Sequence, residues 1–389
     1  MTNRTSLAEL AGLFLRLGTI SFGGPAAHIA MMEDEVVRRR HWFTREQFLD
    51  YLGATNLIPG PNSTELAIHI GHARAGWPGL LVAGACFILP ATLIVGVIAW
   101  AYVRFGSVPA VGGVLYGIKP VVIAVVVQAL WGLGRSALKT RTLMVLGAVA
   151  VLAAAAGVHE LIILFGSGVI MALSRRASAG AAQGRASMLS LATGDAAAAI
   201  ATGGASIAAA ASFGLWPLFW VFAKIGAVLF GSGYVLLAFL RADLVERLGW
   251  LTERQLLDAV AVGQVTPGPV FTTATFVGYV LGGAPGATVA TVGIFLPAFI
   301  FVALSGPLVP RLRRSPTAGA VLDGVNVASL ALMTVVTWQL GRAALVGPLA
   351  IALAVLSAIL LLRFRANSAW LVLGGAVIGL VATWVRAFP

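Results

Sequence analysis

Apolar residues run through this chain in blocks of about 20, separated by short polar connections. The blocks fall at about 8–30, 46–71, 78–103, 108–133, 142–156 and 158–173, and again at about 216–239, 255–281, 285–309, 318–340, 345–362 and 368–386. Wound as an α-helix, a block of that length matches the hydrocarbon thickness of a bilayer. Two blocks are interrupted where a helix should continue. Asn56-Leu-Ile-Pro59-Gly60-Pro61-Asn62-Ser63-Thr64 and Gln264-Val-Thr266-Pro267-Gly268-Pro269-Val-Phe-Thr272 each carry a Pro-Gly-Pro inside the apolar run. Proline removes a backbone donor and clashes with the preceding turn, and glycine frees the chain to bend, so both segments are predicted to be broken helices.

The blocks repeat. Sliding the chain by 208 residues aligns Phe14–Pro61 with Phe222–Pro269 without a gap, bringing Gly18 onto Gly226, Trp42 onto Trp250 and Asp50 onto Asp258. After the Pro-Gly-Pro the offset becomes 207, and Gly71 meets Gly278, Gly79 meets Gly286 and Pro90 meets Pro297. A duplication of about 165 residues follows. The first repeat spans 8–173 and the second 214–386; 174–213 is an Ala/Gly/Ser-rich linker, within which 196–213 is a weak candidate span. Thr44-Arg-Glu-Gln47 and Thr252-Glu-Arg-Gln255 read as capping boxes. Each follows a tryptophan of the kind that sits at the membrane interface. Each broken helix therefore reaches its Pro-Gly-Pro about 20 Å further on, near mid-bilayer.

Composition fixes the class. The chain of 389 residues is 59% hydrophobic and 10% charged, with a mean hydropathy of +0.95. That is far from the quarter of charged residues usual in soluble domains. The expectation is an all-α polytopic membrane protein with two homologous repeats of about five to six transmembrane helices each. Met1-Thr-Asn-Arg-Thr-Ser does not read as a cleaved signal, and the single Cys86 excludes an intramolecular disulfide or a cysteine metal cluster. The net charge of +12 sits in short connections, a distribution that orients a membrane protein and argues against nucleic acid as a partner. With every block counted as a crossing, Arg4, Arg74, Arg135, Lys139, Arg141, Arg175, Arg176 and Arg185 face Arg38, Arg39, Arg40, Arg45 and Arg104 in the first half. In the second half the bias reverses, with Arg241, Arg247, Arg254, Arg311, Arg313, Arg314, Arg363 and Arg365 facing Arg342 and Arg386. The repeats are expected to be inverted, although the triple arginine at 38–40 pulls against that reading.

Inverted repeats with discontinuous helices place a binding site where the breaks meet. A helix that restarts after a break offers free N–H groups and partial positive charge, an anion site without any side chain. Asn62, Ser63 and Thr64 follow the first break; Thr266 precedes and Thr272 follows the second, and these side chains add donors. Two such ends suit a compact tetrahedral oxyanion, against the plainer reading that each Pro-Gly-Pro only kinks a helix. Arg16 and Lys224 occupy equivalent intramembrane positions and either attract the anion or snorkel to the interface. Phe22-Gly23-Gly24-Pro25 and Phe230-Gly231-Ser232-Gly233 let backbone approach a ligand or let helices pack closely. Glu65 and Lys119 are the coupling candidates; Glu65 either pairs with a cation or carries a proton. Asp50 and Asp258 are read as charges at helix starts. No His-Glu-x-x-His, Walker motif or nucleophile elbow is present, so no enzyme, cofactor or metal is expected.

At Phe14-Leu-Arg-Leu-Gly18, Ser21-Phe-Gly-Gly24, Trp42, Pro59-Gly-Pro61, Phe230-Gly231, Gly249-Trp-Leu-Thr252 and Thr266-Pro-Gly-Pro269 the chain closely resembles the chromate ion transporter family in its long two-domain form. The resemblance covers nearly the whole chain apart from the linker. It implies a bacterial inner-membrane protein that exports chromate, driven by the proton motive force, and confers chromate resistance. The expected partners are chromate or a sulfate-like oxyanion, protons as coupling ion and the lipid bilayer, with a homodimer as the candidate assembly and the oligomeric state left open by the sequence. A transporter of sulfate or another inorganic anion and an anion channel are the alternatives. The second half departs from the pattern at Gly231-Ser232-Gly233, so the half-sites need not be equivalent.

Overall fold

Each half of the chain opens with helices too short to cross a bilayer. In the computed structural model, which describes residues 5–21, 24–106, 109–183, 213–230, 235–313, 315–364 and 366–387, the first is α1 (Leu7–Ile20), about 21 Å long. It is followed by α2 (Gly24–Glu33), a π-helical turn at Asp34–Arg39 and α3 (Arg45–Thr55). The capping box at Thr44 and Gln47 forms as expected and starts α3. Then come α4 (Asn62–Phe105), α5 (Pro109–Ala137), α6 (Arg141–Ala155) and α7 (Glu160–Gln183). The second half repeats this order with α8 (Leu215–Val228), α9 (Leu236–Leu240), a π-helical turn at Arg241–Arg247 and α10 (Glu253–Val265). It continues with a 3-10 turn at Val270–Thr272, α11 (Thr273–Arg313), α12 (Pro316–Ala344), α13 (Pro348–Phe364) and α14 (Ser368–Ala387). The described residues contain no strand.

The short helices form hairpins that enter and leave on one side, which corrects the expectation that blocks 8–30 and 46–71 are crossings. Arg40, just past the π-helical turn, pairs with Glu9 in the first turn of α1 at 2.6 Å, so the chain has come back to where it entered. The first arm of α4, 62–74, returns likewise. Arg74 donates to Thr5 Oγ1 at 2.7 Å and to the Trp42 carbonyl at 3.5 Å. At Ala75 and Gly76 the helix reverses again, with Gly76 at φ +64°. The arms then lie so close that a Cβ on Gly71 would overlap the Gly79 carbonyl. The second arm, 77–105, is thus the first segment to run from one side to the other. The second repeat reverses at Gly282 and Gly283 and closes on Gly278 and Gly286. These glycines are the repeat partners of Gly71 and Gly79.

Contacts between the repeats show that they are inverted. Tyr102, near the far end of α4, donates to Asp258 in the second turn of α10 at 2.9 Å. Arg247, where the second repeat's first hairpin ends, reaches Glu160 at the start of α7 at 3.3 Å. The entry side of one repeat is therefore the exit side of the other. Correctly sided, the charges no longer conflict. Among the described residues of the first repeat, Arg38, Arg39, Arg40, Arg45, Arg74, Arg135, Lys139, Arg141, Arg175 and Arg176 share one side, against Arg104 on the other. In the second repeat, Arg311, Arg313 and Arg363 join that basic side, against Arg241, Arg247, Arg254, Arg342 and Arg386. The strong reversed bias expected for the second half shrinks to five against three, and the triple arginine agrees with the rest of the first repeat. The span expected at 196–213 lies outside the described residues, apart from Phe213 at its end.

Among the described residues four helices are long and apolar enough to cross a membrane, and the outer surface is set with exposed Trp131, Leu152, Trp338 and Trp370, as a lipid-facing protein requires. Inside, small residues let helices approach. Gly18 sits against the Phe87 carbonyl and its repeat partner Gly226 against that of Ile294, while Gly117 meets Gly375 where α5 crosses α14.

Candidate functional site

The two Pro-Gly-Pro breaks are not separate. Gly60, at φ +141°, donates its N–H to the carbonyl of Leu229, which caps α8, at 2.7 Å. Gly268, at φ +89°, donates to the carbonyl of Ser21, which caps α1, at 2.9 Å. Ser21 and Leu229 are repeat partners. Each break therefore closes on the end of the other repeat's first helix, so the two breaks are crossed between the repeats. Only a residue free to take positive φ serves at positions 60 and 268.

After the first break α4 starts at Asn62 with no side-chain cap. The amides of Thr64 and Glu65 bond to the Pro61 carbonyl at 2.8 and 3.0 Å. Those of Asn62 and Ser63 have no carbonyl in a preceding turn to meet. Around them stand buried polar atoms that have no hydrogen-bond partner among the described residues: Asn62 Oδ1, Thr64 Oγ1, both carboxyl oxygens of Glu65 and, one turn on, His69 Nε2. Thr64 and Glu65 are 0% exposed. Gly60 makes room for the carboxyl, since a Cβ there would overlap Glu65 Oε1. Buried polar groups are normally paired, and a cluster of unpaired ones calls for a ligand or a proton.

The second break is chemically quieter. Thr272 Oγ1 donates to the Pro269 carbonyl at 2.8 Å and Thr266 Oγ1 to that of Val262 at 3.0 Å, so both hydroxyls serve the backbone. Pro267 and Pro269 flank Gly268 as Pro59 and Pro61 flank Gly60, and all four shape the turns without contributing an N–H. The two breaks are unequal, and the polar one belongs to the first repeat.

The expected cations stand apart from this cluster, each with a carboxylate. Arg16 lies 3.4 Å from Glu35, and Lys224 lies 2.5 Å from Asp243; these are the same pair in the two repeats. Lys119 meets Asp258 at 2.8 Å, with the Tyr102 hydroxyl on the other carboxylate oxygen. Asp258 is fully buried and joined to the opposite repeat, which corrects its reading as a charge serving its own helix start. Gly24 begins α2 at φ +77°. Gly23, Gly231 and Ser232 lie outside the described residues. Among the described residues no group of three His, Cys, Asp or Glu side chains is placed to hold a metal.

One residue at the crossing escaped the sequence reading. His28 on α2 is 1% exposed, with Nε2 3.1 Å from the Ser21 carbonyl and Nδ1 3.2 Å from Ser63 Oγ. It joins the end of α1, the start of α4 and, through the shared Ser21 carbonyl, the second break. Nothing in its spacing marks it, because its partners come together only when both hairpins fold.

A family model described as chromate transporter matches the chain twice, over residues 8–172 and 216–380. The chromate transport protein of Cupriavidus metallidurans is 34% identical over 388 residues, covering 97% of this chain and 93% of that protein. The chromate transport protein of Pseudomonas aeruginosa is 35% identical, covering 87% of this chain and 82% of that protein. A probable chromate transport protein of Synechococcus elongatus is 32% identical, covering 87% and 86%. No solved structure matches. Two matched repeats, a helical membrane fold and relatives of this identity along nearly the whole length lead to one conclusion: the chain belongs to the chromate transporter family.

Proposed function

We propose that this protein is a secondary active transporter that exports a tetrahedral oxyanion, chromate first, across a bacterial inner membrane and so gives chromate resistance. The observation that carries the reading is the crossing of the two breaks beside the unpaired polar atoms at the start of α4. Free amides and a helix N-terminus attract an anion, and the glycines let backbone come close to it. Arg16 and Lys224, each paired with a carboxylate, serve the approach to the site rather than its floor. Gly23, Gly24, Gly231 and Ser232 stay in the reading on sequence grounds, as positions where backbone can approach a ligand.

Glu65 supplies the coupling. An ionised carboxylate beside a dianion repels it, so the anion binds when Glu65 carries a proton. Export of negative charge from a negative interior releases about 2.3 kcal/mol for each elementary charge per 100 mV. The membrane potential is then the main driving force, with the proton as coupled ion. Lys119 acts at a distance, by holding α10 through Asp258. Sulfate has the same shape and charge and is the competing substrate.

Purified protein in liposomes tests this, with chromate and sulfate flux followed under a membrane potential, under a pH gradient and under neither. Expected is saturable chromate flux that responds to both gradients. Absence of any anion flux overturns the transport reading, and flux that neither saturates nor couples to protons makes the protein a channel. In Glu65→Gln, anion-for-anion exchange should persist while the response to the pH gradient is lost.

A further inference from the structure

His28 has a chemical consequence that the transport reading does not use. A carbonyl oxygen can only accept, so the contact with Ser21 requires a proton on Nε2. In the neutral ring Nδ1 then has only a lone pair, and the Ser63 hydroxyl must donate to it. Ser63 is the second residue of α4, among the free amides of the first break, and is 2% exposed. With its one proton given to His28, that hydroxyl can only accept, and an anion has no use for it. When the ring takes up a second proton, Nδ1 becomes the donor, Ser63 Oγ becomes the acceptor, and the hydroxyl proton is released to turn towards the site.

We propose that His28 is a positioning residue that couples proton uptake to anion binding by reversing its hydrogen bond with Ser63. The proposal rests on the crossed breaks being the anion site. The surroundings of the ring leave the switch to one group. Phe87 of the second arm of α4 stands edge-on at 5.6 Å, next to Cys86 in sequence. Ser21 comes from α1 and Gly268 from the second break; neither carries charge. Glu65, two residues beyond Ser63, and His69, one turn further on, are the other titratable side chains at this helix start. Arg16 of α1 and Glu35 of the π-helical turn neutralise each other. The repeat partner of His28 is Leu236, also buried, so the second break has no such device. The switch is single, and it belongs to the half-site with the unpaired polar atoms.

The test is chromate binding to the full-length protein in lipid nanodiscs, by equilibrium dialysis, between about pH 4 and about pH 8. The window reaches below the range of an exposed imidazole because a ring 1% exposed resists taking charge. His28→Gln keeps a donor and an acceptor in one amide but does not titrate. The ratio of wild-type to variant affinity at each pH removes the protonation of chromate itself. Expected is a roughly tenfold advantage of the wild type at the acid end, the effect of one added hydrogen bond to a charged ligand, fading to none at the alkaline end. Ser63→Ala, with His28 intact, should lose the same pH-dependent part. A ratio that stays constant with pH, or a wild-type pH profile in Ser63→Ala, overturns the role of His28. Failure of the wild type to bind chromate at any pH overturns instead the anion site on which the role depends.

Discussion

At the scale of single residues, position 60 is the most constrained. It needs positive φ, its N–H is committed to Leu229, and its missing Cβ leaves room for the Glu65 carboxyl. Gly60→Ala should therefore lower stability by about 1–3 kcal/mol through backbone strain alone, and should abolish transport by displacing the carboxyl. Gly12→Ala, inside α1 where an added methyl meets nothing within 4 Å, should leave thermal unfolding in detergent unchanged or raise it slightly. Equal unfolding temperatures for the two variants would show that the break tolerates a side chain. The Pro-Gly-Pro pairs and the deep Glu65 could be read from the sequence because each is an anomaly in its own segment: a helix breaker or an acid among apolar residues. His28 and Asp258 could not, because what defines them is a partner elsewhere. Ser63 is 35 residues from His28, and Lys119 stands in the other repeat from Asp258.

At the scale of elements, helix starts were legible and helix directions were not. Thr44 with Gln47 and Thr252 with Gln255 cap α3 and α10 as their spacing predicts. An apolar run long enough to cross a membrane looks the same when it folds back at mid-depth, since hydropathy measures length and carries no direction. The signal for reversal was present as Gly71 with Gly79 and Gly278 with Gly286, glycines eight residues apart that let two arms touch. Cysteine labelling separates the two arrangements. In a Cys86→Ser background, Arg39→Cys, Arg74→Cys and Lys139→Cys should react with an impermeant reagent from one side, and Arg342→Cys from the other. Reaction of positions 39 and 74 from opposite sides would rule out the hairpins. Gly278→Ala should cost about 1–3 kcal/mol, because the obstacle is the Gly286 backbone, which cannot rotate away as a side chain can.

At the scale of the molecule, the two repeats share a plan but not a condition. Leu256 to Gly263 of α10 are all buried, and Asp258 is locked to Lys119 and Tyr102. The matching stretch of α3, 48–55, leaves Leu49 and Asp50 exposed. The repeat partner of Lys119 is Asn326, so no equivalent ion pair can form on the basic side. Lys119→Met leaves a buried carboxylate without its cation and should destabilise by about 3–5 kcal/mol, whereas the double variant Lys119→Met, Asp258→Leu should recover most of that loss. Thermal unfolding of both variants decides it: an unrecovered double variant would mean that the pair does more than neutralise itself.

The siding of the arginines also bears on how the chain is threaded into the bilayer. Ten basic residues against one among its described residues make the first repeat self-orienting. The second repeat, with three against five among its described residues, carries almost no instruction of its own. Its orientation is inherited from what precedes it. Expressed by itself, a fragment from residue 213 onward should insert both ways up, and reporters at its end should be found on both faces of the membrane.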